Sequence, residues 1–511
     1  MPTAFRALLS VLMLVGFYVL ALALLVGCGV VTVLAVQHSS GAAALKFGIL
    51  TIIVAVGIVM ALVRVARSER AAGRAGAADD VAVTPEAAPE LWAVVRELAD
   101  VAGTRAPDTI VLAPVVNAAV SEESRLLGLV GGPRRLVLGV PLVQGLTVGQ
   151  LRSVLGHEIG HYSNAHTRLT PIAYRGRVVV GETVTRLEGN VVGWLLRQYA
   201  KAYLAASAAV SRAQELEADR LSVQVAGRRV AQSALRELPV VDAAWSFYQE
   251  RYLGPAWSSG YATTPGGFFG GFGLLLGARS EELARLRGQD APGERSRWDS
   301  HPPIAQRLAA MDRVPDDGSA HVDDRPAAAL VPGFDEAAAA LAGHVVAFEG
   351  RERLAWDRLV PAFMAASTNG DAEAVYAAAR GVSGESAAGL GTLLDLVEGD
   401  RAKELVRTVM PELSLDEPGA LGDALAHLLG LAVHESAVRS GVGAWRGSWS
   451  GPAAVVARDA AGQPVDLDRL VTLATDPATV ADARAGLVAA GVELSASAPA
   501  AGLPAAATAG R

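Results

Sequence analysis

At 511 residues, with 51% hydrophobic but only 5% aromatic content, the chain is too long for one ordinary core and too rich in alanine for a sandwich or barrel. The expectation is a mainly helical protein of about three domain-sized units. A net charge of -7 without any Lys/Arg cluster interleaved with aromatics argues against a nucleic-acid partner, and the lone Cys28 excludes an intramolecular disulfide and thiolate metal sites, so a metal would need His, Asp or Glu.

In chain order, the first feature is apolar. Between Arg6 and Lys46 there is no Asp, Glu, Lys or Arg, and Ala7 to Val36 is long enough to cross a bilayer with some tilt. Phe47 to Val63 predicts a second span, followed by Arg64, Arg67, Arg70 and Arg74, while the loop between the spans offers only Lys46. The pair reads as a two-helix membrane hairpin over 1–66 in the plasma membrane, and the positive-inside rule puts both its ends and the rest of the chain on the cytoplasmic side. A competing reading rests on Leu25-Val26-Gly27-Cys28, which has the form of a lipoprotein cleavage box and would make Cys28 a lipid anchor. The apolar run continues to Val36, which weighs against it.

Residues 67–89, rich in Ala, Gly, Arg and Asp, predict a flexible tether, and a folded region is expected over 90–314. There Leu91, Val94, Val95, Leu98 and Val101 recur at helical spacing, and Thr109 to Val120 and Arg135 to Val140 read as strands. Thr147 and Gln150 fit a capping box, opening a helix that turns Leu151, Val154 and Leu155 toward the core before reaching His157. Helices are expected over 190–227 and 230–252. The first is interrupted by Arg197 and Lys201 and reads as amphipathic, not as a third crossing. The glycine-rich run Ser258 to Gly277 is expected to be a packed loop, with a lid or a membrane-touching patch as alternatives. A linker over 315–332, a helical region over 333–494 and a disordered tail over 495–511 complete the chain. The fold class is mainly α with a small β-sheet.

The chemistry centres on His157-Glu158-Ile159-Gly160-His161. Imidazoles four residues apart share one helical face and can reach one metal, with Glu158 beside them as general base. Two solvated surface histidines would be the bland reading, but Leu151, Val154, Leu155 and Ile159 make this a core-facing helix. His166 lies nine residues after His157, so the extended three-histidine pattern, which needs ten, fails, and His166 reads as a loop residue. A carboxylate from a second helix is the alternative. In Glu215-Leu216-Glu217-Ala218-Asp219, Glu215 and Asp219 fall one turn apart on one face, which assigns Glu215 to the metal and Asp219 to an imidazole N–H behind it. Taken alone, this pair would read as a solvated acidic face.

These residues resemble the HtpX-like and CAAX prenyl endopeptidase-type membrane zinc metallopeptidases. The likeness spans roughly 90–313 and rests on Val154 to His161, on Ser211-Arg212 with Glu215 to Asp219, and on His301-Pro302-Pro303 with Arg307-Leu308. It implies a zincin-like α+β domain with one Zn2+ held by His157, His161 and Glu215. It also implies a substrate-holding edge strand at Asn117-Ala118 and a histidine, His301, near the reacting carbonyl. A protein or peptide substrate and a role in membrane-protein quality control follow from the resemblance. The chain is expected to depart from such relatives in having no further crossings after the His-Glu motif and in carrying the helical region 333–494, a candidate site for a protein partner. The alternative function is a membrane-tethered scaffold with a degenerate peptidase domain.

Overall fold

The computed structural model describes residues 3–38, 81–122, 132–162, 191–289, 302–315 and 322–495, with isolated positions between 41 and 56 and at Val180. These are mostly helical with small sheets, and they divide into two units, Met1–Ser246 with Phe268–Ala347, and Phe247–Gly267 with Phe348–Arg511.

In the first unit, α1 (Thr3–His38) runs unbroken through Gly27, Cys28 and Gly29. Its segment Leu12–Leu34 is the one helix among the described residues long and apolar enough to cross a bilayer; the expected second span lies largely outside the described residues. Leu14, Phe17 and Ala21 form a buried cluster with Leu196, Ala200 and Tyr203. Leu12, Val15, Val19, Leu22 and Val26 face outward.

The sheet begins earlier than expected. Strand β1 (Val81–Ala82) pairs antiparallel with β2 (Thr109–Ala113), and Val83 and Ala88 are buried, so residues 81–89 of the expected tether are folded structure. Helix α2 (Pro89–Val101) buries Leu91, Trp92, Val95 and Leu98, and the Trp92 indole N–H donates to the Val83 carbonyl at 2.8 Å. Val101 is 45% exposed because the helix ends on it. The single strand expected over 109–120 is broken into β2 and β3 (Ala118–Glu122) at Pro114, which has no N–H for a ladder. With β4 (Arg134–Gly139) the order is β1-β2-β4-β3; β2 runs parallel to β4, β3 runs antiparallel to it, and β3 forms an edge.

After α3 (Val140–Gly145) comes α4 (Val148–Gly160), opened by the expected capping box: Thr147 Oγ1 accepts from Gln150 N–H at 3.2 Å, and the Gln150 side chain accepts from Thr147 N–H at 3.0 Å. Leu151, Val154, Leu155 and Ile159 are all buried. Four further helices follow: α5 (Val191–Ala226), α6 (Arg228–Tyr248), α7 (Pro265–Ala278) and α8 (Ser280–Arg287). The glycine-rich run expected as a loop is thus largely the helix α7. Its Phe268, Phe269 and Phe272 surround Trp245, with centroids 5.0 to 6.1 Å away, and aromatic burial of that size offsets a glycine cost of about 1 kcal/mol per residue. Helices α9 (Ile304–Met311) and α10 (Phe334–Val345) complete the unit.

The expected linker 315–332 is also structured where described. Ala327 and Leu330 are fully buried in a short 3-10 turn. Val148 N–H donates to Arg325 O at 2.8 Å and Gly149 N–H to Asp323 O at 2.9 Å, so this segment takes up donors that the first turn of α4 would otherwise leave unsatisfied.

The second unit pairs β5 (Tyr261–Thr263) parallel with β6 (Glu352–Leu354) and continues through α11 (Trp356–Ser383), α12 (Leu390–Glu398), α13 (Ala402–Val409) and α14 (Ala420–Arg439). A small antiparallel sheet, β7 (Gly443–Arg446), β8 (Ala454–Arg458) and β9 (Pro464–Val465), precedes α15 (Leu467–Ala474) and α16 (Val480–Ala490). Tyr248 and Tyr252 stack with Trp356 and Trp449 in one aromatic cluster. The boundaries therefore differ from the sequence expectation: 247–267 belongs with the C-terminal region, and α10 belongs with the first unit.

Candidate metal centre

Two helices create the centre, and glycine decides how closely they meet. A Cβ on Gly156 would stand 2.5 Å from Val225 Cγ2, and one on Gly160 would stand 3.3 Å from Ala218 Cα, so both positions allow α4 to lie against α5 nearly backbone to backbone. The buried hydroxyls of Ser153 and Ser222, 2.6 Å apart, and the Arg152 Nε bond to Val225 O at 2.8 Å fix the same pair in register. The sequence reading did not single out these glycines; their four-residue spacing was the signal.

This approach brings His157, His161 and Glu215 together. The two Nε2 atoms are 3.2 Å apart, Glu215 Oε2 lies 3.5 Å from His157 Nε2, and Glu215 Oε1 lies 3.6 Å from His161 Nε2. A tetrahedral zinc with bonds of about 2.0 to 2.1 Å separates its ligand atoms by about 3.3 Å; the two Glu215 approaches use different carboxylate oxygens, and one atom from each of the three residues lies within 4.8 Å of the others, so the donor set converges as such an ion would need. Together they can hold a metal.

Behind them, Asp219 is 1% exposed, and its Oδ1 lies 3.0 Å from His157 Nδ1. An Nδ1–H donated to this carboxylate leaves the Nε2 lone pair pointing at the ligand cluster, the tautomer that a metal requires. Arg307 on α9 clamps the same carboxylate with two bonds, Nε to Oδ2 at 2.9 Å and Nη2 to Oδ1 at 2.6 Å. Its 3.3 Å approach to His157 Nδ1 follows from sharing that oxygen. The sequence reading quoted Arg307 as part of a motif but gave it no role. Glu217, on the opposite face of α5, is exposed, as its spacing implies.

The charges are coupled. Burial alone would lower the His157 pKa, but bonds to the Asp219 and Glu215 carboxylates outweigh it and raise the value to about 9 in the metal-free protein. Burial would likewise raise Asp219, but Arg307 and His157 hold it below the usual carboxylate range. Glu158, half-buried, is near enough for its charge to act on His157, Tyr162 and Arg307.

Of the remaining sequence candidates, Ala118 is buried at the start of the edge strand β3, and Asn117, exposed just before it, accepts the Gly139 N–H at 2.8 Å. His301 and His166 lie outside the described residues.

Residues 85–314 match the model of peptidase family M48. None of the curated proteins and none of the solved structures matches the chain. The matched segment supplies both histidines, Glu158, Glu215, Asp219 and Arg307, so this part of the chain is similar to peptidase family M48, a likeness that supports a metallopeptidase.

Proposed function

We propose that the protein is a membrane-anchored, zinc-dependent endopeptidase. The observation that carries this reading is the convergence of His157, His161 and Glu215 at 3.2 to 3.6 Å with Asp219 fixing the His157 tautomer, inside a segment similar to peptidase family M48. Zinc suits a nitrogen and carboxylate donor set with one position left open, where it would acidify a bound water.

The protein's own groups do the rest. Glu158 as carboxylate accepts a proton from the attacking water and returns it to the leaving amine, which avoids a covalent intermediate. Asp219 and Arg307 keep His157 from rotating or protonating at the wrong nitrogen. Edge strand β3, from Asn117 and Ala118, holds an extended peptide by strand addition, and His301 donates to the oxygen of the scissile carbonyl.

The substrate class is protein or peptide, with membrane-protein quality control as the setting. We place α1 and the 47–63 run as a hairpin in the plasma membrane with the peptidase on the cytoplasmic side, since the arginines after the hairpin favour that side. The C-terminal helices are a candidate docking surface for a protein partner.

Metal content and casein cleavage by the detergent-purified protein test the reading. One zinc per chain with cleavage, a Glu158→Gln variant that keeps zinc but does not cleave, and a Glu215→Ala variant that loses zinc are the expected results. A wild type that binds no metal would instead favour the tethered scaffold.

A further inference from the structure

The edge strand is already partly occupied by the chain itself. In the antiparallel pair of β3 and β4, Gly139 N–H donates to Asn117 O at 2.8 Å, and the register pairs Ala118 with Leu138, Ala119 with Val137 and Val120 with Leu136. Hydrogen-bonded pairs alternate along such a ladder, so 119 and 121 turn their polar groups toward β4, while Ala118 and Val120 turn theirs to the open edge. The Val120 carbonyl accepts a hydrogen bond from the hydroxyl of Tyr162 at 2.7 Å. Tyr162 directly follows the candidate ligand His161, so one side chain links the end of the metal-binding helix to the edge.

The tyrosine is held where it is. The Arg134 guanidinium lies 4.8 Å from its ring centroid, and that guanidinium is itself fixed by the Thr104 hydroxyl at 2.8 Å, the Arg105 carbonyl at 2.7 Å and Glu122 at 3.4 Å. The ring is therefore held between the Arg134 guanidinium and the Val120 carbonyl.

We propose that Tyr162 is a specificity-determining residue that weakens the substrate's pairing along β3 at Val120. This rests on the proposed peptidase activity and on β3 as the substrate edge. An extended peptide can exchange a full hydrogen-bonded pair with Ala118, but at Val120 the acceptor is engaged by the tyrosine hydroxyl. Peptide residues beyond the Ala118 pair on that side can accept from the Val120 N–H but find its carbonyl taken, so they gain one backbone bond fewer than on an open edge, and lengthening the substrate strengthens binding less in that direction than in the other. The ligand class is an unfolded, extended segment reaching only a short way along the sheet.

The test is peptide binding in the Glu158→Gln background, where turnover does not interfere. Fluorescently labelled casein-derived peptides are lengthened one residue at a time from either end, and Kd is read by anisotropy with and without Tyr162→Phe, which keeps the ring under Arg134 and removes only the hydroxyl. The expected result is that Tyr162→Phe leaves short peptides and metal content unchanged and tightens longer peptides about fivefold, the worth of one backbone hydrogen bond, on one side only. An equal shift at every length, a shift on both sides or no shift overturns the proposal. Failure of the peptidase reading shows separately, as a wild type that does not cut the peptides its Glu158→Gln variant binds.

Discussion

The Asp219 carboxylate lies 3.0 Å from His157 Nδ1, almost fully buried on the side of the imidazole away from the ligand cluster. One residue of α5 thereby orients a histidine of α4 while Glu215, a turn earlier on α5, faces the same histidine from its other nitrogen. Asp219→Asn keeps an acceptor near Nδ1 but loses the charge that balances Arg307 and favours the Nδ1–H tautomer. Metal affinity is expected to fall about 10- to 100-fold with helical content retained, measured by chelator competition and circular dichroism.

Arg307 is predicted to act through Asp219. Arg307→Lys retains the charge but cannot reproduce the two-pronged contact at 2.6 and 2.9 Å, so it should weaken metal binding by less than Asp219→Asn does. Arg307→Ala strands a buried carboxylate and should destabilise the fold by about 3 to 5 kcal/mol, read as a lower thermal midpoint. A loss of activity in Arg307→Lys with unchanged metal affinity would point to contact with substrate instead.

The pH dependence follows from His157. Its pKa of about 9 in the metal-free protein means that a bound metal must displace a proton at neutral pH. Apparent metal affinity should rise about tenfold per pH unit through the neutral range and level off above about pH 9. The stability of the metal-free protein runs the other way. The folded pKa exceeds the ordinary value of 6.5, so this contribution is complete below about pH 6.5 and is lost as pH rises through about 9. Isothermal titration with zinc and thermal melts of the chelator-treated protein across that window measure both slopes.

Gly160 sets the distance between the two helices that carry the candidate ligands. A valine there would meet the Ala218 backbone and Leu221, 3.3 Å from an added Cβ. Gly160→Val should push α4 from α5, cost about 1 to 3 kcal/mol and remove metal binding without touching any ligand. Retained stoichiometric zinc in this variant would show that the helices need not approach so closely.

Removing residues 348–511 should also be costly. Residues 247–267 belong to that unit; Tyr248 is 0% and Tyr252 7% exposed in its aromatic cluster, and the Tyr252 hydroxyl donates to Ser448 O at 2.8 Å. A chain ending at Ala347 is expected to be insoluble or to bind a hydrophobic dye strongly. A soluble truncated protein with full peptide cleavage would favour a separate docking role for the region.

The sequence by itself determined the elements and the side-chain placements that depend on local spacing. The four-residue interval puts His157 and His161 on one face, the Thr147 and Gln150 pair caps their helix, and the interval from Glu215 to Asp219 assigns two carboxylates to one face of α5. Only the tertiary structure decided what depends on residues distant in the chain. The aromatic side chains of 265–278 make a helix only because Trp245 gives them somewhere to pack, and 323–327 is ordered because the first turn of α4 needs acceptors. Arg307 gains its role because α9 delivers it to a carboxylate that appears 88 residues earlier. The physical reason is the same in each case. Propensity and periodicity act over a turn or two of chain, whereas burial and charge pairing depend on which distant surfaces meet.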